Sequence, residues 1–168
     1  MPEAPDDFAW KVHAALDAWT AKVDSKASIV LGLETASIGF IVALSAANKA
    51  FSQLRGTPLT AFRIGLSLLA LGVLLAGATV FPQLSRRRSR RIWRDQVIYF
   101  GHLRHWKPAD LEKRLGQMTE SASLDQLANQ LVEMSKIAWR KHAWLQYSML
   151  STLGGLIFVA SSGSWPEA

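Results

Sequence analysis

The stretch IGLSLLALGVLLAGATVFP, residues 64–82, decides the fold class because it contains no charged side chain. A helix rises about 1.5 Å per residue, so roughly 20 apolar residues cross a hydrocarbon core of about 30 Å. A helix that is apolar on every face has no side to turn toward water. The sequence therefore predicts a membrane-spanning helix over residues 64–82.

Two further stretches have the same character. Residues 143–163 carry no charge, and residues 27–48 carry one, Glu34. Three buried helices of a soluble core are the alternative, which the uniformly apolar stretch 64–82 disfavours. We expect an all-α integral membrane protein with three transmembrane helices and a helical cytoplasmic stalk domain.

Basic residues predict the orientation, because lysine and arginine near a span favour the cytoplasm. Lysines precede the first span, a run RRRSRR at residues 86–91 follows the second, and the hairpin between them is poor in basic residues. Such a run can also bind nucleic acid, but directly after a span it is more typical of a topology signal. We expect no nucleic-acid partner.

The predicted segments are a cytoplasmic amphipathic helix 1–26, the first span 27–48, an external hairpin 49–63, the second span 64–82, a cytoplasmic basic helical domain 83–142, the third span 143–163 and an external tail 164–168, with Trp165 as an interfacial anchor.

Small residues recur along all three spans and let helix backbones approach closely. They are Ser28, Gly32, Ala36, Gly39, Ala43 and Ala47 in the first span, Gly65, Gly72 and Ala76 in the second, and Ser151, Gly154 and Gly155 in the third. The residues of the first span fall on one face at about 100° per residue. This face packs either within the chain or between chains of an oligomer, and the pattern does not separate the two.

Glu34 lies inside the first span, on the face opposite the small residues. Intramembrane carboxylates are costly and usually face a cavity, a partner or a pore. We therefore consider Glu34 a candidate pore or gating residue, together with Asp24 and Lys26 at the membrane boundary. The alternatives are a hydrogen bond within the bundle for Glu34 and an anchoring or interhelical ion pair for the other two.

The polar segments also show helical periodicity. We predict that Asp6 or Asp7 caps a helix that continues unbroken into the first span. A basic helix is expected from Gln83 toward Phe100, and a short helix from residue 109 to about 118. A last helix, capped by Ser121 or Ser123, has an apolar seam and runs into the third span. The seam comprises Leu124, Leu127, Leu131, Met134 and Ala138.

Residues with chemistry of their own are few. The sequence has no glycine-rich phosphate loop and no nucleophile motif, so we expect neither an enzyme nor catalytic residues. His102 and His105 alone are weak grounds for a metal, and we expect no metal and no cofactor. One cluster combines aromatic and basic residues: Tyr99, Phe100, His102, Arg104, His105 and Trp106. It can stack a base and neutralise a phosphate, or it can pack the stalk and touch anionic headgroups.

Three short motifs resemble those of one family. The segment W-x4-D-x-K-A at Trp19–Ala27 is similar to the opening of the Pycsar effector membrane domain. Tyr99–Gly101 resembles the aromatic-glycine signature of that domain. The segment Q-x4-S-K-I-A-x2-K, residues 130–141, resembles its approach to the third span. The resemblance covers about residues 8–162.

The resemblance implies an antiphage role at the bacterial inner membrane. In that family a partner cyclase makes cyclic CMP or cyclic UMP on infection, and the membrane effector responds by impairing the inner membrane. This chain shows no separate β-rich nucleotide module, so a nucleotide would bind the helical cytoplasmic part. Three spans are too few to enclose a wide pore, which implies a homo-oligomer in the lipid bilayer.

Two other function classes fit the same residues. A passive subunit would use the stalk to bind a cytoplasmic partner and the spans as an anchor. A small channel or transporter subunit would place Glu34 on the ion path.

Overall fold

The computed structural model describes residues 4–46, 51, 53–81 and 93–163. Over these residues the chain folds into helices and turns without a strand. The elements are α1 (Pro5–Ala46), α2 (Gly56–Val80), a 3-10 turn (Trp93–Asp95), α3 (Phe100–Leu103), α4 (Pro108–Gly116) and α5 (Glu120–Gly163). The helices α1, α2 and α5 are long and apolar enough to cross a membrane. The protein is thus an all-α membrane protein, as the sequence predicts.

The helix α1 runs without interruption from the polar N-terminal segment into the first apolar stretch, as predicted. The predicted cap is wrong, because the helix already begins at Pro5 and Asp6 and Asp7 lie in its first turn. Proline suits this position since its missing N–H would have no partner in the helix anyway. The two carboxylates there face the positive end of the helix dipole.

The chain divides into two compact units. The span unit comprises Lys22–Phe81 and Arg140–Ala168, and the peripheral unit comprises Met1–Ala21 and Pro82–Trp139. The long helices α1 and α5 contribute residues to both units. The boundaries of the membrane itself remain those predicted from the sequence.

Two apolar clusters define the directions of the helices in the span unit. At one end Val23 and Ala27 of α1 pack with Leu145 of α5, and Val80 of α2 packs against them. At the other end Ile41, Leu69 and Val159 form a second cluster, which Phe51 and Phe62 flank. Residue numbers therefore rise together in α1 and α5 and fall in α2. The helices α1 and α5 are parallel, and α2 is antiparallel to both.

Glycines bring α2 and α5 into close contact. A Cβ atom added to Gly65 would lie 2.8 Å from the backbone oxygen of Gly155, and one added to Gly155 would lie equally close to the backbone oxygen of Gly65. A side chain at either position would force the two backbones apart. Of the two kinds of packing that the sequence leaves open for the small residues, packing within the chain is the one found at these positions of the second and third spans.

The small residues of α1 behave differently. Gly32 and Gly39 have nothing within 4 Å of an added Cβ atom. Ser28, Ala36 and Ala43 on the same face are exposed, and Ala47 lies outside the described residues. This face of α1 does not pack within the chain over its described residues. Of the two alternatives that the sequence leaves open, packing inside one chain is wrong for α1.

The peripheral unit departs from the predicted helices between residues 93 and 99 and at the start of α5. A single 3-10 turn at Trp93–Asp95 and non-helical residues 96–99 replace the end of the basic helix expected from Gln83 toward Phe100. Residues 82–92, with the arginine run, lie outside the described residues, as does Trp165. The short helix α4 agrees with the expected span 109–118. The start of α5 differs, because the Thr119 hydroxyl, not Ser121 or Ser123, accepts a hydrogen bond from the Ala122 N–H at 3.3 Å.

The predicted apolar seam of α5 lies on the buried side of that helix in the peripheral unit. Leu127 and Ala138 of α5 are buried, as are Ala9 and Leu16 of α1. Leu124, Leu131 and Met134 are half-buried. The large apolar side chains of Phe8 and Trp19 in the same part of α1 are exposed.

Candidate functional site

Asp24 and Lys141 join α1 to α5 at one end of the span unit. The Lys141 Nζ donates to Asp24 Oδ1 at 2.6 Å and to Oδ2 at 2.7 Å. The side chain of Lys141 is 8% exposed and that of Asp24 is 37% exposed. The boundary thus holds the interhelical ion pair that the sequence offered as the simpler interpretation. Its cation is Lys141, and the exposed Lys26 is not the partner.

Glu34 joins the same two helices at a second level. Its side chain is 2% exposed. The Oε1 atom accepts hydrogen bonds from the Ser148 hydroxyl at 2.6 Å and from the Thr152 hydroxyl at 2.5 Å. The Oε2 atom is buried and has no hydrogen-bond partner among the described residues. Glu34 therefore takes part in the bundle contact that was the alternative to a pore-lining position.

The helix α2 closes the Glu34 site at Gly72. A Cβ atom added to Gly72 would overlap the Thr152 hydroxyl oxygen and would lie 3.1 Å from Glu34 Oε1. One turn earlier on α2, the Leu68 carbonyl accepts a hydrogen bond from the Ser151 hydroxyl at 2.8 Å. The carboxylate thus sits where all three helices of the span unit meet, and glycine is the residue that leaves it room.

The aromatic and basic cluster predicted around residues 99–106 forms two adjacent groups in the peripheral unit. In the first, the Tyr99 ring lies 4.5 Å from the Phe100 ring and 5.2 Å from the His102 ring. In the second, Trp106 meets Trp93 edge to face at 5.2 Å, and its indole N–H donates to the Trp93 carbonyl at 3.0 Å.

Polar atoms of the cluster have distinct surroundings. His105 Nε2 accepts a hydrogen bond from Arg104 Nε at 3.2 Å. His102 is buried, and its Nδ1 atom has no hydrogen-bond partner among the described residues. Burial, and then the nearby His105, lower the pKa of His102 below its ordinary value of 6.5. Both effects disfavour the charged imidazolium. Phe100 and Arg104 are exposed.

The model of the Pycsar effector protein domain matches residues 8–165. The chain belongs to this family. No curated protein and no solved structure matches it. The family supports an antiphage membrane effector as the function.

The structure explains residues in all three motifs that suggested the Pycsar effector family. The ion pair links Asp24 of the first motif to Lys141 of the third, so these separated segments meet in the span unit. In the second motif, a Cβ atom at Gly101 would overlap the Tyr99 ring. Glycine therefore lets the aromatic ring fold back onto the backbone.

Sequence reasoning on this Pycsar effector domain missed several partners. Ser148 and Thr152 were not assigned to Glu34, although their spacing of four residues places them on one helix face. Trp93 was not assigned to the aromatic cluster, which it joins across a non-helical segment. The candidate residues Glu34 and Asp24 share helix α1, but each has its own partners. Among the described residues, no group of three metal-ligating side chains comes together.

Proposed function

We propose that this chain is an antiphage effector of the bacterial inner membrane that responds to cyclic CMP or cyclic UMP. A homo-oligomer would impair the membrane and cause abortive infection. The observation that carries the proposal is the family match, which spans all three membrane helices and the aromatic cluster. The N-terminus and the aromatic cluster would be cytoplasmic, where a partner cyclase releases its product.

The aromatic cluster is the proposed nucleotide site. Phe100 is 64% exposed, so its ring is available to stack on a pyrimidine. Arg104 is exposed four residues later and supplies a guanidinium for the cyclic phosphate. The packed rings of Tyr99 and His102 hold in place the backbone that carries Phe100 and Arg104.

A hydrogen bond connects the site to a membrane helix. The Val97 N–H, close to the cluster in sequence, donates to the Gln126 side-chain oxygen of α5 at 3.0 Å. Farther along, the same helix carries Lys141 and Ser148, which bind Asp24 and Glu34. A ligand favours the open assembly only if it binds that state more tightly. We propose that the nucleotide does so by shifting α5 through this loop.

The exposed small-residue face of α1 supports assembly into an oligomer. Small residues let membrane helices of different chains approach closely. This face includes Gly32 and Gly39, which have open space beside them. The chain therefore has one face for contacts within itself and another available for contacts between copies.

The decisive experiment is dye leakage from liposomes that contain only the purified protein. We expect cyclic CMP or cyclic UMP to release the dye and cyclic AMP, a purine analogue, to have little effect. Phe100→Ala and Arg104→Ala should each lower the response at least tenfold by removing stacking or charge. The matched control is Lys107→Ala, another exposed cation of the same unit. Leakage without nucleotide, or none with either pyrimidine nucleotide at high protein density, would contradict the proposal.

Assembly has its own test. Gly39→Leu should lower the oligomer fraction in crosslinking and abolish leakage, because the side chain separates the α1 faces. Gly77→Leu is the control, since Gly77 of α2 also has nothing within 4 Å of an added Cβ atom. An equal loss of assembly in both variants would contradict a specific role for α1.

A further inference from the structure

Two lysines lie on the exposed side of α1, at the end of the span unit that holds the Asp24–Lys141 ion pair. Lys22 and Lys26 are both exposed. At about 100° per residue they project from the side of the helix opposite Asp24, which lies between them in sequence. Asp24 is bound to Lys141 through both of its oxygens. The carboxylate nearest to the two lysines in sequence therefore faces α5 and does not neutralise them.

The same side of α1 is apolar immediately beyond the lysines. Ile29 is 62% exposed and Leu33 is 65% exposed. Together with Lys22 and Lys26 they fall within a sector of about 60° of the helix. Leu33 lies seven residues beyond Lys26, about 10 Å along the axis, which is within one leaflet of a hydrocarbon core about 30 Å thick. The lysines are thus at the level of the headgroups when the apolar pair contacts acyl chains.

The chemistry of this surface favours a ligand that is both anionic and apolar. Residues 18–33 contain one acidic side chain, Asp24, and its charge is already paired with Lys141. Like charges four residues apart on a helix repel each other, and an anion bound to both lysines would remove that repulsion. The apolar stem of a lysine can lie along an apolar surface while its ammonium group reaches a phosphate.

We infer that this side of α1 binds an anionic phospholipid, with the headgroup phosphate at Lys22 and Lys26 and an acyl chain along Ile29 and Leu33. Basic residues next to a span attract anionic lipids electrostatically. A zwitterionic lipid binds less well, because its own cation offsets this attraction. A free phosphate binds less well, because it makes no apolar contact. The site requires only one side of α1, so it does not depend on the proposed nucleotide response.

The test is native mass spectrometry of the full chain, released from a neutral detergent that contains equal amounts of phosphatidylglycerol and phosphatidylcholine with identical acyl chains. We expect the phosphatidylglycerol adduct to be favoured roughly 25-fold, because each lysine near an anionic headgroup contributes about fivefold, or about 1 kcal/mol. The preference should shrink as ammonium acetate is raised, since salt screens exposed charges. Equal adducts of the two lipids would overturn the inference.

Paired variants assign the binding to the two lysines. Lys22→Gln/Lys26→Gln should remove the preference for phosphatidylglycerol, whereas Lys22→Arg/Lys26→Arg should retain it. The matched control is Lys107→Gln/Lys113→Gln, which removes two exposed cations of the peripheral unit. An equal loss in the control would overturn the assignment, because net charge alone would then explain the adduct.

A competition experiment on the wild-type chain separates a lipid site from a simple phosphate site. Glycerol 3-phosphate offers the phosphate of the headgroup without acyl chains. At the concentration of the lipid it should leave the phosphatidylglycerol adduct unchanged. Displacement of the lipid by glycerol 3-phosphate would overturn the contact with Ile29 and Leu33.

Discussion

The helices α1 and α5 are joined at two levels, and each level uses different chemistry. At Asp24 a lysine supplies a full counter-charge, and the carboxylate keeps contact with solvent. Glu34 lies ten residues farther along α1, about 15 Å deeper by helix geometry, and meets two hydroxyls. The comparison shows that the ion pair lies where water has access. In the interior the carboxylate instead accepts hydrogen bonds from neutral hydroxyl groups.

The largest effect is expected at the first level. Asp24→Asn leaves the buried ammonium of Lys141 without its counter-charge and should destabilise the protein by about 3 kcal/mol. Lys141→Met should cost only about 1 kcal/mol, because the partly exposed Asp24 can be hydrated. Unfolding by a denaturing detergent in micelles measures both values.

The double variant Asp24→Asn/Lys141→Met serves as the control for this pair. Its cost should be well below the sum of the single costs, because neither charge is left alone. Additive costs would show that the two side chains do not interact.

The second level should give a smaller effect. Ser148→Ala removes one hydrogen bond to the Glu34 carboxylate and should cost about 1.5 kcal/mol in the same assay. Ser37→Ala is its counterpart on α1, where the exposed hydroxyl only bonds the Leu33 carbonyl. If both serines cost the same, Ser148 has no special role in the junction.

A third comparison concerns two glycines, Gly72 beside the Glu34 contact and Gly39 on the exposed face of α1. Gly72→Ala pushes a methyl group into Thr152 and should destabilise the protein by about 1 kcal/mol. Gly39→Ala meets open space and should leave the monomer equally or more stable, since alanine favours helices. The difference in melting temperature between the two variants checks this, and equal melting temperatures would contradict the described packing.

The smallest effect is a pH dependence of stability that comes from His102 in the peripheral unit and not from the two polar contacts between α1 and α5. The pKa of His102 is lowered from its ordinary value of 6.5, so between the two values the folded chain binds fewer protons than the unfolded chain. Stability therefore rises with pH through this window and falls as the pH drops below about 6.5. Melting temperatures between pH 5 and pH 7.5 should show this slope, and His102→Gln should flatten it. An unchanged slope in the variant would assign the response elsewhere.

Much of the fold follows from local patterns. The uncharged stretch 64–82 predicts α2, and uninterrupted periodicity predicts that α1 and α5 extend from polar segments into the apolar ones. The prediction of a basic helix is wrong over residues 93–99. Composition does not reveal where the chain must turn so that its aromatic rings can pack. The tryptophan pair Trp93–Trp106 crosses that turn, and no spacing rule connects the two residues.

The sequence by itself determined which segments are surrounded by lipid and which by water, since apolar length and charge placement are properties of consecutive residues. It also marked Glu34 as a charge inside a span and Asp24 as a charge at the membrane boundary. Only the tertiary structure decided which atoms meet: Lys141 rather than Lys26 binds Asp24, and Ser148 and Thr152 bind Glu34. These choices depend on the register between parallel α1 and α5, which close packing against the glycines of α2 fixes.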